Sequence, residues 1–92
     1  MQFMASIAFD REHGAEIARA LPAEQVRVRE LQQQGVLETL YIPDGSGPPT
    51  QLWVVFNGTS TETVREAMQT LPLYPYMTVQ LTSLRELEVR NQ

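Results

Sequence analysis

The sequence predicts an α+β fold of the ferredoxin-like kind, ordered βαββαβ, with a four-stranded antiparallel sheet and two helices on one of its faces. Three observations predict it. Two stretches alternate apolar and polar with period two and two more are rich in β-branched and aromatic residues, apolar residues recur about every 3.6 residues in two others, and turn-forming residues separate the stretches in that order.

Residues 2–9 set Phe3, Ala5, Ile7 and Phe9 against Gln2, Met4, Ser6 and Ala8, the alternation of a first strand with one strongly apolar face. From 14 to 34 the period changes to that of a helix. Ile17, Leu21, Val28 and Leu31 fall on one side, and Gly35 supplies the stop. Pro22 lies inside this stretch, and it kinks the helix or starts a second segment, because it lacks an N–H and crowds the preceding turn. Residues 36–42 and 51–57 are rich in β-branched and aromatic side chains. The glycines and prolines of 43–49 between them predict a hairpin with a long loop, the stretch of the chain most prone to disorder. Thr59, followed three residues later by Glu62, reads as a capping box opening a helix over 60–71, with Val64, Ala67, Met68 and Leu71 on its apolar face. A fourth strand alternates over 76–81, and 84–89 forms an amphipathic tail.

The most informative stretch is Leu71-Pro72-Leu73-Tyr74-Pro75-Tyr76-Met77, at the junction of the second helix and the last strand. It is too apolar for an ordinary surface turn. Each proline fixes its own φ and pushes its predecessor out of the α region, so Leu71 should end the helix and Tyr74 should be extended. The two tyrosines are then aimed by a stiff backbone, and the run is expected to wall a binding site.

The 92 residues form one domain, 1–92, and a chain this short buries only about 60–65% of its unfolded surface. There is no cysteine, which excludes disulfides, thiolate metal sites and a thiol nucleophile. There is also no lysine, which excludes Schiff-base chemistry and a P-loop. The net charge of −4 and seven scattered arginines leave no basic stripe, so nucleic acid is not an expected partner. The N-terminus lacks a basic leader, and no run approaches the ~20 apolar residues of a membrane span. A soluble, cytoplasmic protein is expected.

One sheet face goes under the helices, and the other should be polar if it met water. The third strand instead places Trp53 and Val55 opposite Leu52, Val54 and Phe56, and the fourth adds Val79 opposite Thr78. A second apolar face needs a cover. A back-to-back homodimer or higher homo-oligomer, with a cavity near each helix, provides it.

Glu24 is the first candidate for chemistry, since Ile17, Leu21, Glu24, Val28 and Leu31 step by 4, 3, 4 and 3 along one helix face. It stands where a leucine should be. A carboxyl facing a partly apolar cavity is raised by desolvation, which poises it as a general acid or base. The competing reading makes Pro22 the first residue of a new helical segment, with Glu24 stabilising that segment's N–H groups and Arg27 pairing with it at the surface. Tyr74 and Tyr76 are weighed evenly between pocket and packing. Trp53 is read first as dimer or core filling, with a substrate contact as the alternative. His13, the sole histidine, sits in a polar loop without partners at metal-ligand spacing, and reads as a solvated loop residue. Gly45 and Gly47 read as a turn, and Ser60 and Thr61 as helix initiation.

The 71–77 run, together with the helix ending Glu30-Leu31-Gln32-Gln33-Gln34-Gly35 and with Phe3 at the third position of the first strand, resembles the muconolactone isomerase family of the dimeric α+β barrel superfamily. The resemblance covers most of the chain. It implies a ferredoxin-like fold assembled through sheet packing, and movement of a proton within a small unsaturated lactone, without cofactor, near a subunit interface. Aligned from Gly35, it places Glu24 on a family glutamate proposed to act in that reaction. Met4 replaces a first-strand histidine of the family and enters the substrate pocket by that position, Leu21 replaces a helix lysine, and basic and aromatic residues of the second strand are replaced around 38–41. The expected function is a cofactor-independent isomerase or cyclase-like enzyme acting on a small apolar or lactone-type substrate, with Glu24 catalytic and Tyr74, Tyr76, Met4 and Trp53 around the substrate. The alternative is a noncatalytic barrel that binds a small apolar molecule or serves as an accessory oligomer in a metabolic pathway.

Overall fold

The structure, a computed structural model, describes residues 1–45 and 49–89. In chain order it contains β1 (Gln2–Phe9), α1 (Gly14–Gln33), β2 (Leu37–Tyr41), β3 (Gln51–Asn57), α2 (Thr61–Gln69) and β4 (Met77–Leu84), with 3₁₀ turns at Arg11–His13 and Tyr74–Tyr76. The strands form one antiparallel sheet in the order β2-β3-β1-β4, the predicted ferredoxin-like arrangement. The stretch of the 43–49 loop at 46–48, to which the expectation of disorder applied, lies outside the described residues, as do 90–92.

Register sorts the strand residues between the two faces. Phe3 pairs with Phe56, Ala5 with Val54 and Ile7 with Leu52, so these six share the face that the helices cover. Leu31 of α1 and Val64 and Met68 of α2 close on that face, all within 1% of full burial. Val79 lies opposite Ile7 and therefore belongs to the helix-covered face too, which leaves Thr78, Gln80, Thr82 and Leu84 as the outward residues of β4. On the outer face Met4 pairs with Val55 and Ser6 with Trp53. Met4 and Trp53 are half-buried, and Val55 is only 8% exposed.

The helix ends show why α1 has its length. Gly35 adopts φ +75°, the left-handed conformation that suits glycine, and turns the chain so that Val36 N–H reaches Leu31 O at 3.0 Å and Gly35 N–H reaches Gln32 O at 3.1 Å. This pair of bonds is a Schellman stop, and Val36 packs back onto the core beside Leu31. Pro22 does not divide the helix, which runs unbroken from Gly14 to Gln33. Its missing donor orphans the carbonyl of Ala18, and both residues lie on the exposed side, where water can serve that carbonyl.

α2 differs from expectation by one residue at its start. Ser60, not Thr59, is the N-cap: its Oγ accepts Thr63 N–H at 3.2 Å, while Thr59 Oγ1 meets only the Thr63 hydroxyl. The helix ends at Gln69, two residues before Leu71. β4 continues to Leu84, and from 85 to 89 the chain has no regular structure, with Leu87 and Val89 exposed. The cap shift has a measurable consequence. Ser60→Ala should lower stability by about 1 kcal/mol and Thr59→Ala by clearly less, in urea unfolding of the two variants; the reverse order would return the cap to Thr59.

Candidate active site

α1 closes on the sheet at its C-terminal end and stands off it towards its N-terminal end. Between them lies a cavity of about 410 Å³. Its α1 wall is Ile17, Leu21, Glu24 and Val28, the same helical stripe that the spacing picks out. The floor comes from the inward residues of β1, β2 and β3, among them Ile7, Leu52 and Phe56. Leu21 at 43% exposure and Leu40 at 38% are cavity residues that also meet solvent, and they mark its opening. The far wall is Leu71, Leu73 and Met77. The proline-rich run is therefore a wall, through its aliphatic members.

Glu24 is the one buried charged residue among those described, at 8% exposure. Its Oε1 accepts the Leu73 N–H at 2.9 Å, across 49 residues of chain. That bond takes the place of the helix-capping role, since no N–H of α1 is its partner, and Arg27 turns instead to Thr70. Oε2 accepts no hydrogen bond, yet no buried side-chain oxygen is left unpaired among the described residues, so Oε2 must reach open space. Glu24 is among the residues that line the cavity.

Burial raises the Glu24 carboxyl above the ordinary glutamate value, and the Leu73 N–H opposes the rise in part by favouring the ionised form. Among the described residues no charged neighbour contributes. Oε1 remains an acceptor whether or not the group carries a proton, and Oε2 is the oxygen that this bond leaves free.

The polar end of the cavity is formed where β1 leads into α1 and β3 begins. Asp10 and Arg11 line it there. Asp10 accepts Glu12 N–H at 2.9 Å on Oδ1 and meets His13 Nδ1 at 2.7 Å on Oδ2, and these bonds hold its carboxyl below the ordinary range. Arg11 has no ion-pair partner among the described residues. Neither residue stands out in the sequence, because a 3₁₀ turn of three residues gives no periodicity to read. The only available signal was position, directly after a strand whose inward residues form the floor.

Of the five expected site residues, the cavity of the single chain contains Glu24 alone. Met4 and Trp53 lie on the opposite sheet face, as their pairing with Val55 and Ser6 requires. Tyr74 does not extend: it opens a 3₁₀ turn, which leaves its half-buried ring packed against the core. Tyr76 closes that turn with its ring against His13, centroids 5.4 Å apart, and its carbonyl accepts Asp10 N–H at 2.9 Å. His13 is thus held between Asp10 and Tyr76, and is more structured than a solvated loop residue. No group of three or more metal-ligating side chains occurs among the described residues.

A family model described as muconolactone delta-isomerase matches residues 1–88. No curated protein matches the chain. Among solved structures, a muconolactone isomerase is similar over 100% of this chain and 98% of its own, at 21% identity and a TM-score of 0.77. A 5-chloro-2-hydroxyhydroquinone dehydrochlorinase from Burkholderia phenoliruptrix AC1100, solved with 2,5-dihydroxybenzoquinone, is similar over 92% of this chain and 94% of its own, at 11% identity and a TM-score of 0.74. At these identities the two structures bear on the fold. No helix among the described residues is long and apolar enough to cross a membrane.

The Glu24 shift predicts a slope in stability. A carboxyl raised on folding keeps its proton to higher pH in the folded protein than in the unfolded chain, so its contribution is fully present below the unfolded value and is lost as pH rises through the folded value. Relative to Glu24→Gln, which keeps an acceptor for Leu73 N–H and cannot ionise, the native protein should lose stability from about the ordinary glutamate value of 4.5 upward. Urea unfolding of both proteins across pH 4 to about 8 measures the difference; parallel curves would show that Glu24 is not raised.

Proposed function

Because the chain belongs to the muconolactone delta-isomerase family, we propose that it is a cofactor-independent isomerase that moves a proton within a small apolar or lactone-type substrate, with Glu24 as the proton shuttle. The observation that supports this most is the one buried carboxyl among the described residues, which lines an apolar cavity and is tethered through one oxygen to the opposite wall. In the forward step Oε2 takes a proton from a carbon next to the substrate carbonyl, and the C–H electron pair moves into the conjugated enolate. Oε2 then returns the same proton to the far carbon of that system, the double bond shifts, and the carboxyl regains its starting state. The raised carboxyl suits both halves, since a base that is too weak cannot take the proton and an acid that is too weak cannot return it.

Arg11 supplies the cation that the helix stripe lacks. At the polar end of the cavity it can meet a carboxylate on the substrate while the unsaturated ring lies against the leucines inside. The Asp10 charge beside it is already engaged by Glu12 N–H and His13. Tyr74 and Tyr76 support the cavity wall from behind. The half-apolar outer sheet face is read as the contact with a second copy, in which Met4, Trp53 and Val55 are buried.

Glu24→Gln should lower kcat by about 10²- to 10⁴-fold on enol lactones that the native protein isomerises, the usual range for loss of a general acid–base. Equal turnover by native and variant protein rules out Glu24. Ligand binding with no turnover by either protein returns the chain to a noncatalytic binding role. Arg11→Gln should raise KM for acid-bearing lactones by about 10- to 150-fold, a hydrogen bond to a charged group being worth about 1.5–3 kcal/mol, and leave the corresponding methyl esters unchanged. An equal effect on acids and esters would separate Arg11 from substrate charge.

A further inference from the structure

Two hydrogen bonds cross between α1 and the turn that follows α2, and they are spaced alike on both sides. Glu24 and Arg27 are three residues apart on α1 and so lie one above the other on a single face. Their partners, Leu73 and Thr70, are also three residues apart. Arg27 Nε donates to Thr70 Oγ1 at 2.9 Å, and the Thr70 hydroxyl is itself aimed by donating to Ala67 O at 2.6 Å. Thr70 is the C-cap residue of α2, where its N–H also returns to Ala67 O. The clasp therefore fixes the point at which the chain leaves α2 for the cavity wall.

We propose that Arg27 and Thr70 are positioning residues for Glu24: their clasp holds the turn of residues 70–73 against α1 so that Leu73 N–H stays on Oε1 and Oε2 stays turned to the cavity. The proposal rests on the reading of Glu24 as the proton shuttle. Its physical basis is that the other forces on the turn are not directional. Leu71 and Leu73 are buried and hold the segment close to α1, but apolar contact does not fix the angle of an N–H. Among the described residues, the Arg27–Thr70 bond is the one side-chain to side-chain hydrogen bond between α1 and this segment. The guanidinium donates through Nε, and its Nη1 lies 3.9 Å from Glu30, a distance too long for a strong second tie. A lysine has no donor at that point on its stem and cannot make the same bond.

The test uses the full chain with Thr70→Val, which keeps the shape and removes the hydroxyl, and Thr70→Ser, which keeps the hydroxyl. The primary readout is the Glu24 carboxyl titration followed by carbon-detected NMR, which needs no substrate. Burial and the Leu73 N–H set this titration, with no charged group of α1, the sheet or the cavity mouth contributing, so loosening the bond should move it upward. Thr70→Val and Arg27→Met should each shift it up, the double variant should shift it no further than either single one, and Thr70→Ser should restore it. On an enol lactone turned over by native protein, kcat should fall by about tenfold with KM little changed, since a misplacement of about 1 Å can cost about a hundredfold. A titration unmoved in folded Thr70→Val and Arg27→Met, or a Thr70→Ser that behaves like Thr70→Val, overturns the proposal. If Glu24→Gln retains turnover, the shuttle reading fails while the titration still reports whether the clasp sets the carboxyl.

Discussion

The candidate site depends on the hydrogen bond from Leu73 N–H to Glu24 Oε1. A carboxyl inside an apolar wall has two ways to exist: it stays neutral, or it ionises with whatever polar groups the protein supplies. Among the described residues one such group is supplied, and it comes from the backbone of the opposite wall. An arginine in its place would hold the carboxylate ionised and make it a poor proton acceptor. With no partner, the carboxyl would stay neutral over a wide pH range. One backbone donor lies between these limits, and it also chooses which oxygen remains free.

That bond can form because the ends of α1 are treated differently. The Schellman turn at Gly35 and the burial of Leu31 fix the C-terminal end on the sheet. The N-terminal end is preceded by the 3₁₀ turn of Arg11–His13, and His13 provides no side-chain cap. The helix is closed at one end and open at the other, and the cavity occupies the open end, where β1 finishes and β3 starts. Pro22 falls in the middle, on the exposed side, where the lost backbone bond costs least. An interruption there would have rotated Ile17 and Leu21 relative to Glu24 and Leu31 and broken the continuous stripe that faces the sheet.

Much of this is legible in the sequence wherever one residue type repeats on a fixed period. The period-two strands, the stop at Gly35 and the inward position of Glu24 all follow from spacing, because spacing alone decides which face a side chain occupies. The 71–77 run is legible as a wall for a different reason, that prolines and leucines cannot form an ordinary solvated turn. What spacing does not contain is the path of the backbone through a short turn. Tyr74 precedes a proline and should be extended, yet the 3₁₀ turn overrides that preference, and the rings leave the cavity while Leu73 turns its N–H into it. Arg11 was hidden for the same reason. Met4 and Trp53 show another limit: alternation says that they share a face, but which of two apolar faces holds the cavity is decided by where the helices pack.

The fold by itself does not select the chemistry, since a dehydrochlorinase solved with a quinone shares it at 11% identity. With Glu24 as the proposed proton shuttle, the selection would lie in the electrostatics of the cavity. Substrate that fills it expels water from around Oε2, and the Glu24 carboxyl is driven further toward its neutral form at the moment of binding. The Leu73 N–H cannot leave with the water, because it belongs to the backbone of the wall. Desolvation therefore raises the basicity of the free oxygen while the tethered oxygen keeps the ionised form accessible. That balance favours a reaction that borrows a proton and returns it within one binding event. It disfavours one that must exchange a proton with solvent through the apolar walls at each turnover. An intramolecular proton shift, the reaction proposed for this chain, is a reaction type with that requirement.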